Sequence, residues 1–234
     1  MPKPIKKRVT KKTATTEEEV QDRLSGLKES IKERQKTVLQ YGAVVLVIIL
    51  AAASFFLYSF YASKKARGLE YEGYTIFYNI SKTPMNTEQQ YQKSLDIFQK
   101  AYNTKKSPVS LFYVAACQYE LGRLDDALKS LKEFSGKYSS NEEFIPLAYQ
   151  KMATIYIKKG DMNEAKKTLD TLYNLKGDIY KDFALLEYAR LLEKEGKLEE
   201  AKKKYQELTT KYPDSPFLEK AKEQLSVTTE KKKG

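Results

Sequence analysis

The chain has 234 residues, with 42 Lys and Arg against 31 Asp and Glu for a formal charge of +11, and it holds one Cys, no His and no Trp. Without His it cannot build a Ser-His-Asp or Cys-His nucleophile system or use the commonest zinc ligand, and one Cys excludes an internal disulfide. A basic balance is one footprint of nucleic-acid binding; here it reads more simply as a tail drawn to an anionic leaflet, where each basic residue contributes about 1 kcal/mol.

Residues 1–15 are rich in Lys and Thr, with Pro2 and Pro4, too polar to bury a core and expected to be disordered. Residues 16–36 read as an amphipathic helix. Thr16 with Glu19 fits a capping box, and Val20, Leu24, Leu27 and Ile31 follow at helical spacing. Such a helix can lie on lipid, pair with a partner helix or act as a stem. Residues 37–63, between Lys36 and Lys64, contain no Asp, Glu, Lys, Arg or Pro. A bilayer core about 30 Å thick needs roughly 20 apolar residues as helix, and a helix pairs every backbone group within the segment. Tyr41, Tyr58 and Tyr61 stand where interfacial aromatics belong, and the flanking lysines can snorkel. The run is too long and starts too far into the chain for a cleavable signal, so it is predicted to be a signal anchor. Eleven basic residues precede it, whereas only Lys64, Lys65 and Arg67 follow closely. That bias predicts a cytoplasmic N-terminus and places everything after Ser63 across the membrane.

Residues 64–226 carry the domain. Leu69, Gly73, Ile76, Phe77 and Ile80 fall at helical spacing in 66–80, and Pro84 closes the helix. Asn79-Ile80-Ser81 matches a glycosylation sequon but sits inside that helical pattern, so it is discounted. From Thr87 onward the chain repeats itself. Gly122-Arg-Leu-Asp-Asp-Ala127, Gly160-Asp-Met-Asn-Glu-Ala165 and Gly196-Lys-Leu-Glu-Glu-Ala201 share one form, with glycines 38 and then 36 residues apart. Ala115, Ala153 and Ala189 each precede their glycine by seven residues. Glycine tolerates the left-handed end of one helix, and acidic residues favour the start of the next through its macrodipole. Alanine is small where two helices must approach closely. Pro213 and Pro216 stop the third unit before a final helix over 217–225, and residues 227–234 are expected to be a disordered tail.

A helix–turn–helix unit of about 34 residues with small residues at these offsets resembles the tetratricopeptide repeat (TPR). The units here are longer, which puts insertions in the turns, and Leu111, Tyr149 and Leu185 stand where many such repeats carry Trp. A degenerate earlier copy has Leu69 and Gly73 in its first helix and Ser94, Phe98 and Ala101 in its second, 90–104, with Pro108 closing the unit. The predicted fold is therefore all-α: a single N-terminal transmembrane helix, then a TPR-like α-solenoid of about four repeats with a C-terminal capping helix. Stacked repeats of this number bury a continuous core.

The resemblance implies a peptide- or protein-binding groove on a concave face lined by the first helices. By position it would be formed by Phe112, Ala116, Tyr119 and Glu120, then Gln150, Thr154, Ile157 and Lys158, then Leu186, Arg190, Glu193 and Lys194. Several of these are equally suited to packing the stack. Lys158, Arg190 and Lys194 are basic, but the asparagines of a carboxylate clamp are missing. The Asp125/Asp126 and Glu199/Glu200 pairs recur at one repeat offset and read as helix-start electrostatics rather than catalysis. Cys117 reads as a small buried hydrophobe, and Tyr113, Tyr149, Tyr156, Tyr188, Tyr205 and Tyr212 as packing residues with a hydroxyl at the rim. The sequence suggests a binding module, with no enzyme activity, cofactor or metal expected.

A basic tail, one signal anchor and a compact TPR stack resemble the YfgM-like family, ancillary subunits of the bacterial SecYEG translocon whose TPR domain faces the periplasm. The resemblance implies a single-pass protein of the bacterial inner membrane. Its partners would be Sec translocon subunits, a periplasmic chaperone, unfolded secretory chains and the lipid bilayer, with no nucleic acid. A TPR scaffold of another envelope complex (outer-membrane assembly or cytochrome maturation) and a cytoplasm-facing TPR adaptor are the alternatives.

Overall fold

The computed structural model describes residues 16–80 and 84–230. The expected disordered stretch 1–15 lies outside the described residues, as do the last four residues of the chain and the Thr16 side chain of the expected capping box. Ten helices are described: α1 (Thr16–Glu33), α2 (Gln35–Phe77), α3 (Thr87–Thr104), α4 (Pro108–Glu120), α5 (Leu124–Lys137), α6 (Phe144–Lys159), α7 (Met162–Tyr173), α8 (Lys181–Lys194), α9 (Leu198–Lys211) and α10 (Leu218–Glu230). They fall into two units, one ending at Phe60 and one beginning at Tyr61, and α2 contributes to both.

In the first unit, α1 leaves Val20, Leu24, Leu27 and Ile31 exposed along one stripe. From Val44 to Leu57 every large apolar side chain of α2 is more than half exposed. A contiguous apolar surface of this kind is the mark of a contact surface, for a bilayer or for other protein. Among the described residues α2 is the one helix long and apolar enough to cross a membrane.

The second unit is an array of helix pairs: the end of α2 with α3, α4 with α5, α6 with α7 and α8 with α9, followed by α10. Each first helix ends in the same turn. Gly122 N–H donates to the Tyr119 carbonyl at 3.0 Å and Arg123 N–H to that of Gln118 at 2.8 Å. Gly160 and Asp161 repeat these bonds to Ile157 and Tyr156, and Gly196 and Lys197 repeat them to Glu193 and Leu192. This is the Schellman arrangement, which needs a left-handed residue at its centre. The three glycines have φ of 72°, 77° and 74°.

The degenerate unit makes the same turn without glycine. Asn79, at φ 50°, donates its N–H to the Ile76 carbonyl at 2.9 Å, and Ile80 N–H donates to that of Thr75 at 2.9 Å. Asn79 is thus the helix end, past α2, and not a position inside a helix as its apolar neighbours suggest. Asparagine is one of the few residues to adopt this region at modest cost.

Where paired helices cross, Ala115, Ala153 and Ala189 are fully buried, as are Leu131, Leu169 and Tyr205 of the second helices. In the first pair the sizes are exchanged further. Phe98, fully buried, lies against Gly73, where an added Cβ would sit 3.0 Å from the ring. Ser94 Oγ donates to the Gly73 carbonyl at 2.9 Å, holding the crossing. The Phe98 ring also stacks on Tyr113 of α4, centroids 4.8 Å apart, which joins the first pair to the next.

Three further boundaries differ from the sequence expectation. Pro108 is the first residue of α4, with Ser107 as its N-cap, so it opens a unit rather than closing one; a fixed φ and a missing N–H suit that position. Helix α3 begins at Thr87, three residues early, because the Asn86 side chain and Gln89 form a capping box. Helix α10 continues to Glu230, so 227–230 are helical and not part of a disordered tail.

The crossing of α2 and α3 gives a direct test. Gly73→Ala is expected to cost about 1–3 kcal/mol by overpacking. Combined with Phe98→Leu, which gives the Ala and Leu found at these positions in the second and third units, it should cost less than the two single losses added, by about 1 kcal/mol. Urea unfolding of the full chain in detergent measures this; strict additivity would mean that the two residues do not share a packing constraint.

Candidate protein-binding face

The face formed by the first helices is built around Tyr119, near the end of α4. Two lysines of α6, seven residues apart and so on one stripe of the helix, reach back to it. Lys151 Nζ lies 4.5 Å from the Tyr119 ring centroid and Lys158 Nζ 4.2 Å, both within cation–π range. Glu120 completes the group, with its Oε1 3.9 Å from Lys151 Nζ. Burial lowers the pKa of the Lys151 ammonium; Glu120 opposes that lowering and Lys158 adds to it.

Of the residues expected on this face, Tyr119, Glu120 and Lys158 are brought together. Gln150 and Thr154 lie half-buried on α6, where the Thr154 hydroxyl donates to the Gln150 carbonyl at 3.0 Å. Arg190 pairs with Glu187 one turn earlier on α8, Glu193 accepts from the Tyr205 hydroxyl at 2.9 Å, and Lys194 is exposed. Phe112 and Leu186, however, do not line a groove. They are 5% and 1% exposed, and Ala116 is buried beside Phe112. The Phe112 ring is enclosed by Phe144 and Phe134, centroids 5.0 and 6.0 Å away, because the next unit begins with an aromatic residue that covers it. Leu186 belongs to the core that α8, α9 and α10 share.

Sequence reasoning missed Lys151, although its seven-residue spacing from Lys158 was a usable signal. It also missed an exposed tyrosine stripe on the last turns of α2 and just past its end. Tyr71, Tyr74 and Tyr78 are 72%, 41% and 53% exposed and three and four residues apart, on one face. Tyr74 and Tyr78 lie edge-on to Tyr113, and the Tyr78 and Tyr113 hydroxyls are 3.3 Å apart. Glu70, a turn earlier, accepts from Ser110 Oγ at 2.6 Å and from Ser107 Oγ, tying α2 to the start of α4. The stripe was concealed because the degenerate unit lacks the motif that gives the register of the others.

Residues 38–215 match the model of the tetratricopeptide repeat-like domain family. The chain belongs to this family. Its TPR-like array makes it a protein-interaction module. Among solved structures, the MamA RS-1 ArsTM double mutant is similar at 13% identity and a TM-score of 0.54, over 73% of this chain and 85% of that one. A Podosopora anserina protein described as a kinesin light chain with nearly identical TPR-like repeats is similar at 13% identity and a TM-score of 0.53, over 72% and 87%. At such identities the likeness is one of fold. No curated protein matches the sequence.

Cys117 is fully buried on the TPR-like core side of α4, and burial pushes its thiol up to about 12. It is expected to resist iodoacetamide at pH 8 in the native protein and to react fully in urea, since only the thiolate attacks; labelling by mass spectrometry without denaturant would contradict its burial. Lys151 gives a second prediction. Its folded pKa lies below the unfolded value of about 10.4, so the unfolded state binds more protons between the two and stability rises with pH across that window. Lys151→Met should therefore be more stable than the parent at pH 7. The gain should shrink as pH climbs toward the unfolded value, as followed by urea midpoints across the alkaline range.

Proposed function

We propose that this protein is a membrane-anchored TPR module that binds other polypeptides on its first-helix face, as an ancillary subunit of the Sec translocon acting with a periplasmic chaperone on secreted chains. The observation that carries the reading is the joining of two features in one helix. α2 begins as an exposed apolar rod of membrane-spanning length and ends as the first helix of the TPR-like array. A partner-binding array is thereby tethered to a bilayer. Supporting the bacterial inner membrane and a periplasmic array is the surplus of basic residues before the span. Supporting the Sec role is the order of tail, anchor and array, which resembles the YfgM-like family. The groove residues proposed are Tyr119, Glu120, Gln150, Thr154, Lys158, Arg190 and Lys194, with Lys151 added.

Three measurements test this. The protein should stay in the pellet after alkaline carbonate washing, and protease added to spheroplasts should remove everything after Ser63 while sparing the tail. A photo-cross-linker at Tyr119 or Arg190 should then capture Sec subunits and nascent secretory chains. Capture of outer-membrane assembly or cytochrome-maturation components instead would move the protein to another envelope complex. A protected C-terminus would make it a cytoplasm-facing adaptor.

A further inference from the structure

The middle of the first-helix face carries an unbalanced positive charge. Two ammonium groups, Lys151 and Lys158, share the single ring of Tyr119. Glu120 lies 3.9 Å from Lys151. Among the described residues no carboxylate lies within ion-pair distance of Lys158. Like charges held together in partly desolvated surroundings repel, and the depressed pKa of Lys151 owes part of its shift to Lys158. Binding an anion there would turn that repulsion into attraction.

What surrounds the pair tells which anion. On the preceding first helix, Tyr74 of α2 and Tyr78 just past its end are exposed and edge-on to Tyr113 of α4, the helix that also carries Tyr119. Aromatic platforms bury apolar or proline side chains at low entropic cost. On the following first helix, α8, Lys194 is exposed and Arg190 is paired with Glu187. An isolated anion or a chain terminus would use the lysine pair alone; an extended segment running past it would use both flanks.

Resting on the groove reading above, we propose that Tyr119, Lys151 and Lys158 form a subsite for an Asp or Glu side chain within an extended polypeptide segment, whose adjoining apolar residues lie on Tyr74 and Tyr78. Lys158 acts as the free cation, and Tyr119 holds both lysines in place. Glu120 keeps Lys151 from folding over the ligand and sets a preference for one carboxylate over a run of them.

The test uses the full chain in detergent and short labelled synthetic peptides read by fluorescence anisotropy. One peptide carries Asp between aromatic residues, a second has Asn in its place, a third Lys, and each is made with a free and an amidated C-terminus. The Asp peptide should bind roughly tenfold tighter than the Asn peptide, independently of amidation, and weaken as salt rises. Lys158→Glu, at an exposed position, should leave the helical spectrum intact and reverse the order so that the Lys peptide binds best. Tyr74→Ala should weaken the Asp and Asn peptides alike. Equal binding of Asp and Asn peptides overturns the carboxylate subsite and leaves the groove standing. Loss of binding on amidation overturns it in favour of a terminal carboxylate. No binding by any peptide, with the helical spectrum intact, overturns the subsite and the groove together.

Discussion

Where the first and second helix of a unit cross, two side chains compete for the space of one. Every unit resolves this by giving the first helix almost no side chain: Ala115, Ala153 and Ala189 in the regular units and Gly73 in the degenerate one. At the corresponding positions of the second helices stand Leu131, Leu169, Tyr205 and Phe98, all fully buried, and Phe98 lies directly against Gly73. Because close packing tolerates little change in volume, Gly73 and the Phe98 ring that occupies the place of its missing Cβ are one adjustment. The larger ring does more than fill space. By stacking on Tyr113 it couples the end of α2 to α4, so the degenerate unit is part of the array despite its weak motif.

The turns impose the second constraint. A first helix that is to meet its partner must stop abruptly, and the Schellman turn does so only with a left-handed residue at its centre. Three units use Gly and the fourth uses Asn79. Consecutive second helices are also clasped by side chains. The Tyr102 hydroxyl donates to Glu133 at 2.9 Å while Lys137 binds the same carboxylate at 2.8 Å, and Tyr173, Glu207 and Lys211 repeat the arrangement between α7 and α9. Between α5 and α7 the corresponding position is Ser135, and a groove of about 230 Å³ lies there, lined in part by Tyr149, Met152 and Tyr156. The clasps thus bracket a looser middle joint, on the surface formed by the second helices.

Much of this was legible in the chain itself. Period and spacing carry the helix pairs, since an α-helix presents one face every 3.6 residues and its ends need particular residues. The Gly-to-Ala segments marked three turns and three crossings, and Ser94, Phe98 and Ala101 marked the second helix of a fourth. The apolar run marked α2. Hidden were the features that depend on a neighbour. Asn79 looked helical because the residues around it are apolar, whereas its conformation follows from where α2 must stop against α3. Phe112 and Leu186 looked like groove residues because they sit at the right offsets from the repeat motif; Phe144 and the α9–α10 core cover them.

The proposed binding face shows the same division. Residue type and offset determined that Tyr119, Glu120 and Lys158 belong to one side of the first helices. Only the approach of α6 to α4 decided that a second lysine, Lys151, shares the ring of Tyr119 and that Glu120 answers just one of the pair. Periodicity is a property of one helix and survives in a linear sequence. The meeting of two charges over one ring depends on the distance between helices, which is set by the side chains packed between them.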